Sequence, residues 1–200
     1  VGYQLRYHKF LNRIKKIIDS NELGQIKKVE VCNQHYLPYH HRYENYRIGY
    51  AARKKLGGGV LLCFIHEVDY VNFLFGLPKS IRCVSGKKSN LKIDVEDYAD
   101  IYSNHCLNKH KFKVSIKLDF IKKKEKRKCD IFFQNGRINW DLNTDELKIK
   151  KQGKIIKKYT NKVSRNLLFK KQLELFNKSI KFKSTPISNL DNGILSLKVV

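Results

Sequence analysis

The second half of the sequence contains a series of short segments in which apolar residues occupy every second position. The clearest is FKVSIKLDF, Phe112 to Phe120, in which one side of an extended strand would be apolar and the other polar. Further strand candidates are Ser80 to Val84, Tyr98 to His105, CDIFFQ, RINWDL, ELKIKK and KIIKKY. Asn135-Gly136 tolerates the positive φ angles of a tight turn and predicts a hairpin. The pattern therefore predicts a sheet with one buried face.

Two more strands are expected earlier in the chain. The segment VGYQLR, Val1 to Arg6, is predicted to be a short strand, and Ile26 to Leu37 has β-branched residues at alternating positions. Pro38 would end the second strand, because proline cannot donate a ladder hydrogen bond. The segment from Pro38 to Lys55 has no clean period and is dense in Tyr, His and Arg, which is typical of a functional loop.

Four segments are predicted to be helical. The first has its apolar residues at helical spacing and should end by Gly24. The second occupies Gly57 to Pro78, opening with three glycines and closing with a glycine and a proline. The third covers Ser164 to Phe182, and the last begins with a capping-box-like pair, Ser188 and Asp191.

This order of elements predicts the fold class. Consecutive strands joined by hairpins and covered by a few helices indicate an α+β domain. We expect an open sheet, largely antiparallel or mixed, with helices on one face. The other face must then be covered by another element or meet a partner.

The net charge of +24 indicates a different class of function, because clustered lysine and arginine are typical of nucleic-acid binding. The lysines, however, are spread over nearly every segment. The densest run, KKKEKRK at Lys122 to Lys128, lies between two strand-like segments, which favours a solvated loop. No helix-turn-helix, zinc or RNP-type pattern accompanies the charge, and we expect no nucleic-acid partner.

Three further features of the sequence indicate where the protein is located and whether the chain is complete. No apolar run approaches the ~20 residues needed to span a bilayer, and no leader pattern is present, so we expect a cytoplasmic protein without a membrane partner. Five cysteines lie far apart without a C-x-x-C pair, which predicts reduced thiols. The sequence begins at Val1 and contains no methionine, and we therefore expect it to be a fragment.

The stretch GGGVLLCFIHEVDYV, Gly57 to Val71, carries the clearest candidate for chemistry. On one continuous helix Cys63, His66 and Asp69 would project roughly together. A histidine there could exchange protons near neutral pH, although a single histidine on such an apolar helix is more often a packed core or interface residue. The glycines could allow close approach to a ligand or form a simple turn. No G-x-G-x-x-G follows a strand, so the residues alone predict no dinucleotide site.

Several stretches together resemble the second half of the glucose-fructose oxidoreductase/inositol dehydrogenase (Gfo/Idh/MocA) family. The resemblance extends over nearly the whole chain, and GGGVLL-x-x-IHEVDY is its most specific part. The other stretches are VGYQLRYH, DSNELGQIKKVE, YLPYHHRYENYR, VSGKKSNLKIDVED and NGRINWDLN.

The resemblance implies a domain organisation. Residues 1–23 would be the last strand and helix of a Rossmann domain, residues 24–183 a C-terminal α+β domain for substrate binding and oligomerisation, and residues 184–200 a truncated helix that returns toward the Rossmann part. NAD or NADP would be bound mainly by the upstream domain, so the fragment alone should be inactive. The open sheet face would form a homo-oligomer interface.

The resemblance also implies a reaction, hydride transfer between nicotinamide and the secondary alcohol of a sugar, cyclitol or nucleotide sugar. His66 matches the family's acid/base histidine. Cys63 departs from the pattern, because the family commonly has an aspartate near this position, and a thiol is a poor substitute. Asp69 could then orient His66, or could instead be a structural residue paired with an arginine.

The remaining site residues follow from the same resemblance. The loop PYHHRYENYR matches a segment that borders the substrate cleft, where polar and aromatic side chains suit a polyhydroxylated substrate. The candidate substrate-binding residues are Tyr36, His41, Tyr46, Arg47 and Arg53. Arg6 matches an arginine near the domain junction and is a candidate for cofactor binding or a structural role. His35, His40 and His41 lack a Cys or carboxylate at ligand spacing, and no metal site is predicted.

Two alternatives to an oxidoreductase remain open from the sequence. One is a non-catalytic relative that keeps the fold for binding or assembly, which Cys63 makes plausible. The other is a basic polyanion-binding module, which should lose affinity steeply when salt is added.

Overall fold

The computed structural model describes residues 1–161 and 165–200. In these residues eight strands form one sheet in the order β2-β3-β4-β1-β5-β6-β7-β8. The strands are β1 (Ile26–Gln34), β2 (Ser80–Gly86), β3 (Tyr98–Leu107), β4 (His110–Asp119), β5 (Lys126–Phe133), β6 (Gly136–Asp141), β7 (Glu146–Lys151) and β8 (Lys154–Thr160). Strands β1 and β4 pair in parallel and the other neighbours pair antiparallel.

The helices contribute the second layer of the fold. They are α1 (Lys9–Ser20), α2 (Val60–Cys63), α3 (Ile65–Phe75), α4 (Arg165–Lys181) and α5 (Leu190–Leu197). Helix α1 ends where Asn21 adopts a left-handed conformation, with φ of 55°. The open, mixed sheet with helices on one face confirms the predicted fold class.

Apolar residues at alternate positions of the strands form the core. In β1, Val29 and Val31 are buried, and the register places Val29 beside Val114 of β4 and Ile131 of β5. These side chains meet Leu11 of α1 and other residues of one continuous apolar cluster. Burying such side chains contributes about 1.5–3 kcal/mol each. The sheet and the helices therefore share one core.

The opposite face of the sheet carries charged side chains, some of which form ion pairs. Lys128 of β5 lies 2.9 Å from Asp141 of β6, and Arg137 of β6 lies 3.0 Å from Asp130 of β5. The polar residues of FKVSIKLDF also project to this side, because successive side chains of a strand point to opposite faces and the apolar ones are buried in the core.

Two predicted strands differ in the structure. Val1 to Arg6 is not a strand; Gln4–Tyr7 forms a 3-10 helix, and its residues 5–7 are all buried, which the alternation of a half-buried strand does not allow. Strand β1 ends at Gln34, before Leu37, where the chain turns into a 3-10 helix at Leu37–Tyr39.

The predicted continuous glycine helix is also wrong. Helix α2 ends at Cys63, and Phe64 has φ of −106° and ψ of 25°, outside the helical range. Its ring is buried edge-on against Phe120, with 5.2 Å between centroids. Residues 54–63 and Ile65–Phe75 are consequently inclined at 48°. The need to bury Phe64 in the core accounts for the break.

Smaller differences concern element ends. Strand β5 begins at Lys126, so the lysine-rich run is only partly a loop. Helix α5 is capped by Asn189 and Asn192 rather than by Ser188 and Asp191. The Ser188 hydroxyl is instead used to donate to the carbonyl of Val1, at 2.9 Å. Ser164, the predicted start of α4, lies outside the described residues.

No single described helix has both the length and the apolar character needed to cross a bilayer. The bent pair made of residues 54–63 and Ile65–Phe75 meets these two criteria only when its halves are taken together.

Candidate active site

Three glycines join the long loop to α2, and at two of them, Gly58 and Gly59, neighbouring atoms leave no space for a side chain. Gly57 and Gly59 have φ angles of 75° and 105°, in the left-handed region that favours glycine. A β-carbon on Gly58 would lie 2.8 Å from the carbonyl oxygen of Ala51. Gly59 N–H donates to the same oxygen at 3.1 Å. The glycines therefore let the loop lie directly against the start of α2.

Glu96, which sequence analysis did not single out, caps the beginning of α2. Its carboxylate accepts a hydrogen bond from Leu61 N–H at 3.1 Å, and its carbonyl accepts one from Val60 N–H at 3.3 Å. A β-carbon on Gly59 would lie 2.6 Å from the second carboxylate oxygen. Because the first N–H groups of a helix lack partners within the helix, this acid fixes the position of α2.

His66 is the second residue of α3 and lies just after the break between the helices. Its side chain is half-buried, and its ring meets Tyr3 edge to face with 5.9 Å between centroids. Nδ1 is buried and has no hydrogen-bond partner among the described residues. Burial lowers the pKa of His66; Glu67 and Asp69 oppose this shift and Arg127 adds to it. The imidazole is therefore uncharged near pH 7 and able to accept a proton.

Asp69 is bound by Arg6. Arg6 Nη2 donates to Oδ1 at 2.7 Å and Nε donates to Oδ2 at 3.0 Å, while the Ser196 hydroxyl donates to Oδ1 at 3.3 Å. The arginine and the aspartate are 7% and 1% exposed. Burial raises the pKa of Asp69, and the hydrogen bonds from Arg6 oppose this shift. The geometry favours a structural role for both residues over contact with substrate or cofactor.

A second buried acid beside His66 was missed. Glu67 is fully buried, and Arg127 Nε donates to its Oε1 at 2.6 Å. Glu67 Oε2 and the Tyr70 hydroxyl have no hydrogen-bond partner among the described residues. No local pattern in the sequence indicates this pair, because Arg127 lies within the lysine-rich run, which is typical of a solvated loop.

Cys63 cannot supply the carboxylate that the family pattern places near this position. Burial raises the pKa of its thiol to about 12, and the neighbouring Glu96 contributes to the shift. The thiol is therefore neutral at physiological pH. Burial also raises the pKa of Tyr50, with a contribution from Cys63. Tyr50 was not among the predicted site residues, although it belongs to the predicted loop.

The first half of the predicted substrate loop is a group of stacked rings. His41 is stacked on His40 with 4.4 Å between centroids, and its Nδ1 lies 2.8 Å from Glu44 Oε1. Tyr36 meets Tyr39 edge to face at 4.9 Å. The half-buried Tyr36 and His41 therefore present ring faces and polar atoms along one segment of the loop.

The second half of the loop approaches residues 92–94. The Tyr46 hydroxyl accepts a hydrogen bond from the Lys92 N–H at 3.4 Å, and the Arg47 guanidinium lies 5.9 Å from the Tyr46 ring centroid. Arg53 Nη1 is 3.6 Å from Asp94 Oδ2. The structure thus divides the predicted residues into a buried group around His66 and a more exposed group on the loop.

In the part of the chain that the structure describes, no group of three His, Cys, Asp or Glu side chains is arranged to hold a metal ion. His35 and His41 instead flank His40, at 5.3 Å and 4.4 Å between ring centroids.

Comparisons with known proteins agree with this architecture. The GFO/IDH/MocA C-terminal domain family matches residues 11–139. Glucose-6-phosphate 3-dehydrogenase of Bacillus subtilis (strain 168) is 30% identical over 109 residues, which are 51% of this chain and 31% of that protein.

Solved structures share the fold. Aldose-aldose oxidoreductase from Caulobacter crescentus, complexed with glycerol, has a TM-score of 0.82 at 17% identity, covering 100% of this chain and 58% of its own. UDP-N-acetylglucosamine 3-dehydrogenase from Acidithiobacillus ferrooxidans has a TM-score of 0.70 at 16% identity, covering 99% and 57%. A levoglucosan dehydrogenase in complex with NADH has a TM-score of 0.81 at 13% identity, covering 99% and 61%.

The chain spans about a third of the curated relative and somewhat under two thirds of the solved structures. These relatives are oxidoreductases, and the family match extends over more than half of the residues. The predicted family is therefore confirmed, and the chain belongs to the GFO/IDH/MocA family through its C-terminal domain.

Proposed function

We propose that this chain is the substrate-binding part of a nicotinamide-dependent oxidoreductase that acts on a secondary alcohol of a sugar, cyclitol or nucleotide sugar. The observation that carries the proposal is His66, a half-buried, uncharged imidazole with an unpaired ring nitrogen in the first turn of α3. The family membership and the dehydrogenases among the relatives support the reaction class.

The reaction requires two separate transfers. Oxidation of a secondary alcohol removes a hydride from carbon and a proton from the hydroxyl group, and NAD or NADP, when bound, exchanges the hydride. His66 would accept the hydroxyl proton in this direction and return it in the reverse direction. Its lowered pKa suits the accepting role, because the unprotonated ring predominates near neutral pH.

The long loop would hold the substrate. Tyr36, His41 and Tyr46 offer hydroxyl and imidazole groups to sugar hydroxyls, and aromatic faces to the ring carbons. Arg47 and Arg53 would bind a phosphate or carboxylate on the substrate, because guanidinium matches these groups in geometry and charge. For Arg53 this requires exchange of its 3.6 Å contact with Asp94 for the ligand.

The cofactor would be held mainly by another domain. For Arg6 we propose a structural rather than a cofactor-binding role, since each of its three guanidinium nitrogens already donates to Asp69 or to the carbonyl of Ile187. We place residues 1–23 at the end of a Rossmann domain, residues 24–183 in the substrate domain and residues 184–200 in a returning helix. Exposed apolar side chains of α4 and α5 support an apolar contact with that domain; they include Leu173, Phe176, Ile180, Ile194 and Leu197.

The open sheet face would form a homo-oligomer interface. Ion pairs such as Lys128–Asp141 neutralise charge within this face, which reduces the repulsion between two copies. Tyr102 and Val84 add exposed apolar surface on the same side.

Cys63 favours a second candidate, a non-catalytic relative that uses the same fold for binding. A neutral thiol with a pKa of about 12 neither charges nor orients the imidazole as a carboxylate would.

Turnover by the whole protein separates the two candidates. Reduction of NAD and of NADP is followed with glucose 6-phosphate, UDP-N-acetylglucosamine and unmodified aldoses and cyclitols. The oxidoreductase proposal expects turnover with one of these classes and its loss in His66→Asn. Binding of a sugar ligand without turnover, unchanged in His66→Asn, would support the non-catalytic relative.

A further inference from the structure

An open cleft on the helical side of the sheet is lined mainly by positive charges. It has a volume of about 600 Å³ and lies between α1, the last two strands and α4. Five cations and one carboxylate, Glu22, line it. The cations come from α1, β8 and α4; they are Lys9, Arg13, Lys16, Lys157 and Lys171.

These cations differ from two of the cations on the open sheet face. There, Lys128 and Arg137 each lie within 3.0 Å of an aspartate. In the cleft, none of the five cations lies within 4.0 Å of a carboxylate belonging to the described residues. Unpaired like charges around a concave surface create a positive potential that a bound anion would neutralise.

One of the cations is held in a defined position. The Arg13 guanidinium lies 4.1 Å from the centroid of the Tyr159 ring, which orients its plane. Ile17 of α1 and Ile149 of β7 are buried and form an apolar floor beneath the charges. A fixed guanidinium surrounded by mobile ammonium groups matches the oxygens of a phosphate, because arginine donates in a rigid fork and lysine adapts.

We propose that this cleft binds a small ligand that carries more than one phosphate group. The volume lies in the range of small-molecule sites, about 300–1,000 Å³. A net of four positive charges, from five cations and one carboxylate, matches a multiply charged anion. The cleft shares no lining residue with the group around His66 or with the substrate loop, so the site is independent of the proposed reaction.

Titration of inorganic tripolyphosphate into the whole protein, followed by calorimetry at low salt, tests the proposal. We expect one ligand per chain. Arg13→Gln with Lys157→Gln should weaken binding at least tenfold. A second pair, Lys157→Gln with Lys171→Gln, should have a similar effect and leaves the Arg13–Tyr159 contact intact, so a folding defect at that contact would not imitate the result.

The matched control is Lys122→Gln with Lys124→Gln, which removes two exposed charges from the densest basic run in the sequence. It should change the affinity by less than about twofold. An equal loss in the control, or no binding by the unaltered protein, overturns the proposal. A 12-base-pair DNA duplex that binds through the same residues when tripolyphosphate does not would also overturn it in favour of a nucleic-acid surface.

Discussion

Arg6 and Asp69 form a buried bidentate pair across 63 positions of the sequence, with Nη2–Oδ1 and Nε–Oδ2 distances of 2.7 and 3.0 Å. Arg6→Ala should cost about 3–5 kcal/mol of unfolding free energy, because it leaves a buried carboxylate without its partner. Thermal unfolding measures this loss. Arg6→Lys should recover only part of the stability, since an ammonium group cannot reproduce the fork. If Arg6→Lys instead keeps full stability and raises KM for NAD or NADP, the cofactor assignment is correct.

The proposed role of His66 makes a prediction about the pH dependence of catalysis. The pKa of His66 is lowered by burial, and the base must be unprotonated to accept the hydroxyl proton. We therefore expect kcat/KM for alcohol oxidation to be constant above about pH 7.5 and to fall on the acid side with a midpoint below 6.5. His66→Gln should lower kcat by at least a hundredfold and abolish this limb. An acid limb that persists in the variant would assign the titration to another group.

The buried histidines predict how stability depends on pH. Burial lowers the pKa of His8, His66 and His105. For each of them the unfolded chain binds a proton first as the pH falls below about 6.5, so the folded state loses stability there. Denaturant unfolding should give a nearly constant free energy between pH 7 and 8 and a decrease between pH 6.5 and 5, above the range in which ordinary carboxylates titrate. His105→Gln should reduce the slope in that window.

Glu67 and Arg127 allow a double-mutant cycle. Arg127→Met should cost about 3–5 kcal/mol, because Glu67 is fully buried and would keep an unpaired charge. Adding Glu67→Gln should restore part of that loss, because the remaining amide is neutral. Urea unfolding of the four proteins measures the coupling free energy. Simple additivity of the two losses would contradict a charge pair at this position.

The Cys63 position tests how far the family pattern applies to this chain. Cys63→Asp should lower the free energy of unfolding by about 1–3 kcal/mol, because it introduces a carboxyl into a half-buried site beside Glu96. Cys63→Ser is the matched control without a charge and should be closer to neutral. A gain in both turnover and stability in Cys63→Asp would instead mean that the site is built for an acid.

Much of the fold could be predicted from local patterns. The alternation in FKVSIKLDF and the Asn135-Gly136 turn predict β4 and the β5–β6 hairpin, because a half-buried strand and a tight turn each have local sequence requirements. The break at Phe64 could not be predicted in this way. It depends on contact with Phe120, 56 positions later, and no local signal reports such a contact.

The candidate site shows the same division between local and distant residues. His66 and the glycines occur in one motif, so a single stretch of sequence identifies them. The residues that surround His66 come from elsewhere: Tyr3 precedes it by 63 positions and Arg127 follows it by 61. Neither stands in a distinctive local pattern, and a single sequence does not report which distant residues are neighbours.

The placement of β1 has a consequence for how the chain acquires its structure. This strand leaves the ribosome before the other seven strands of its sheet, yet it lies in the middle of that sheet, with Val29 beside Val114 on one side and Ile131 on the other. The backbone N–H and C=O groups along its two edges lack their partners in β4 and β5 until about a hundred further residues have been synthesised. Folding of this sheet therefore depends on late, long-range closure, which is slow compared with the formation of local hairpins.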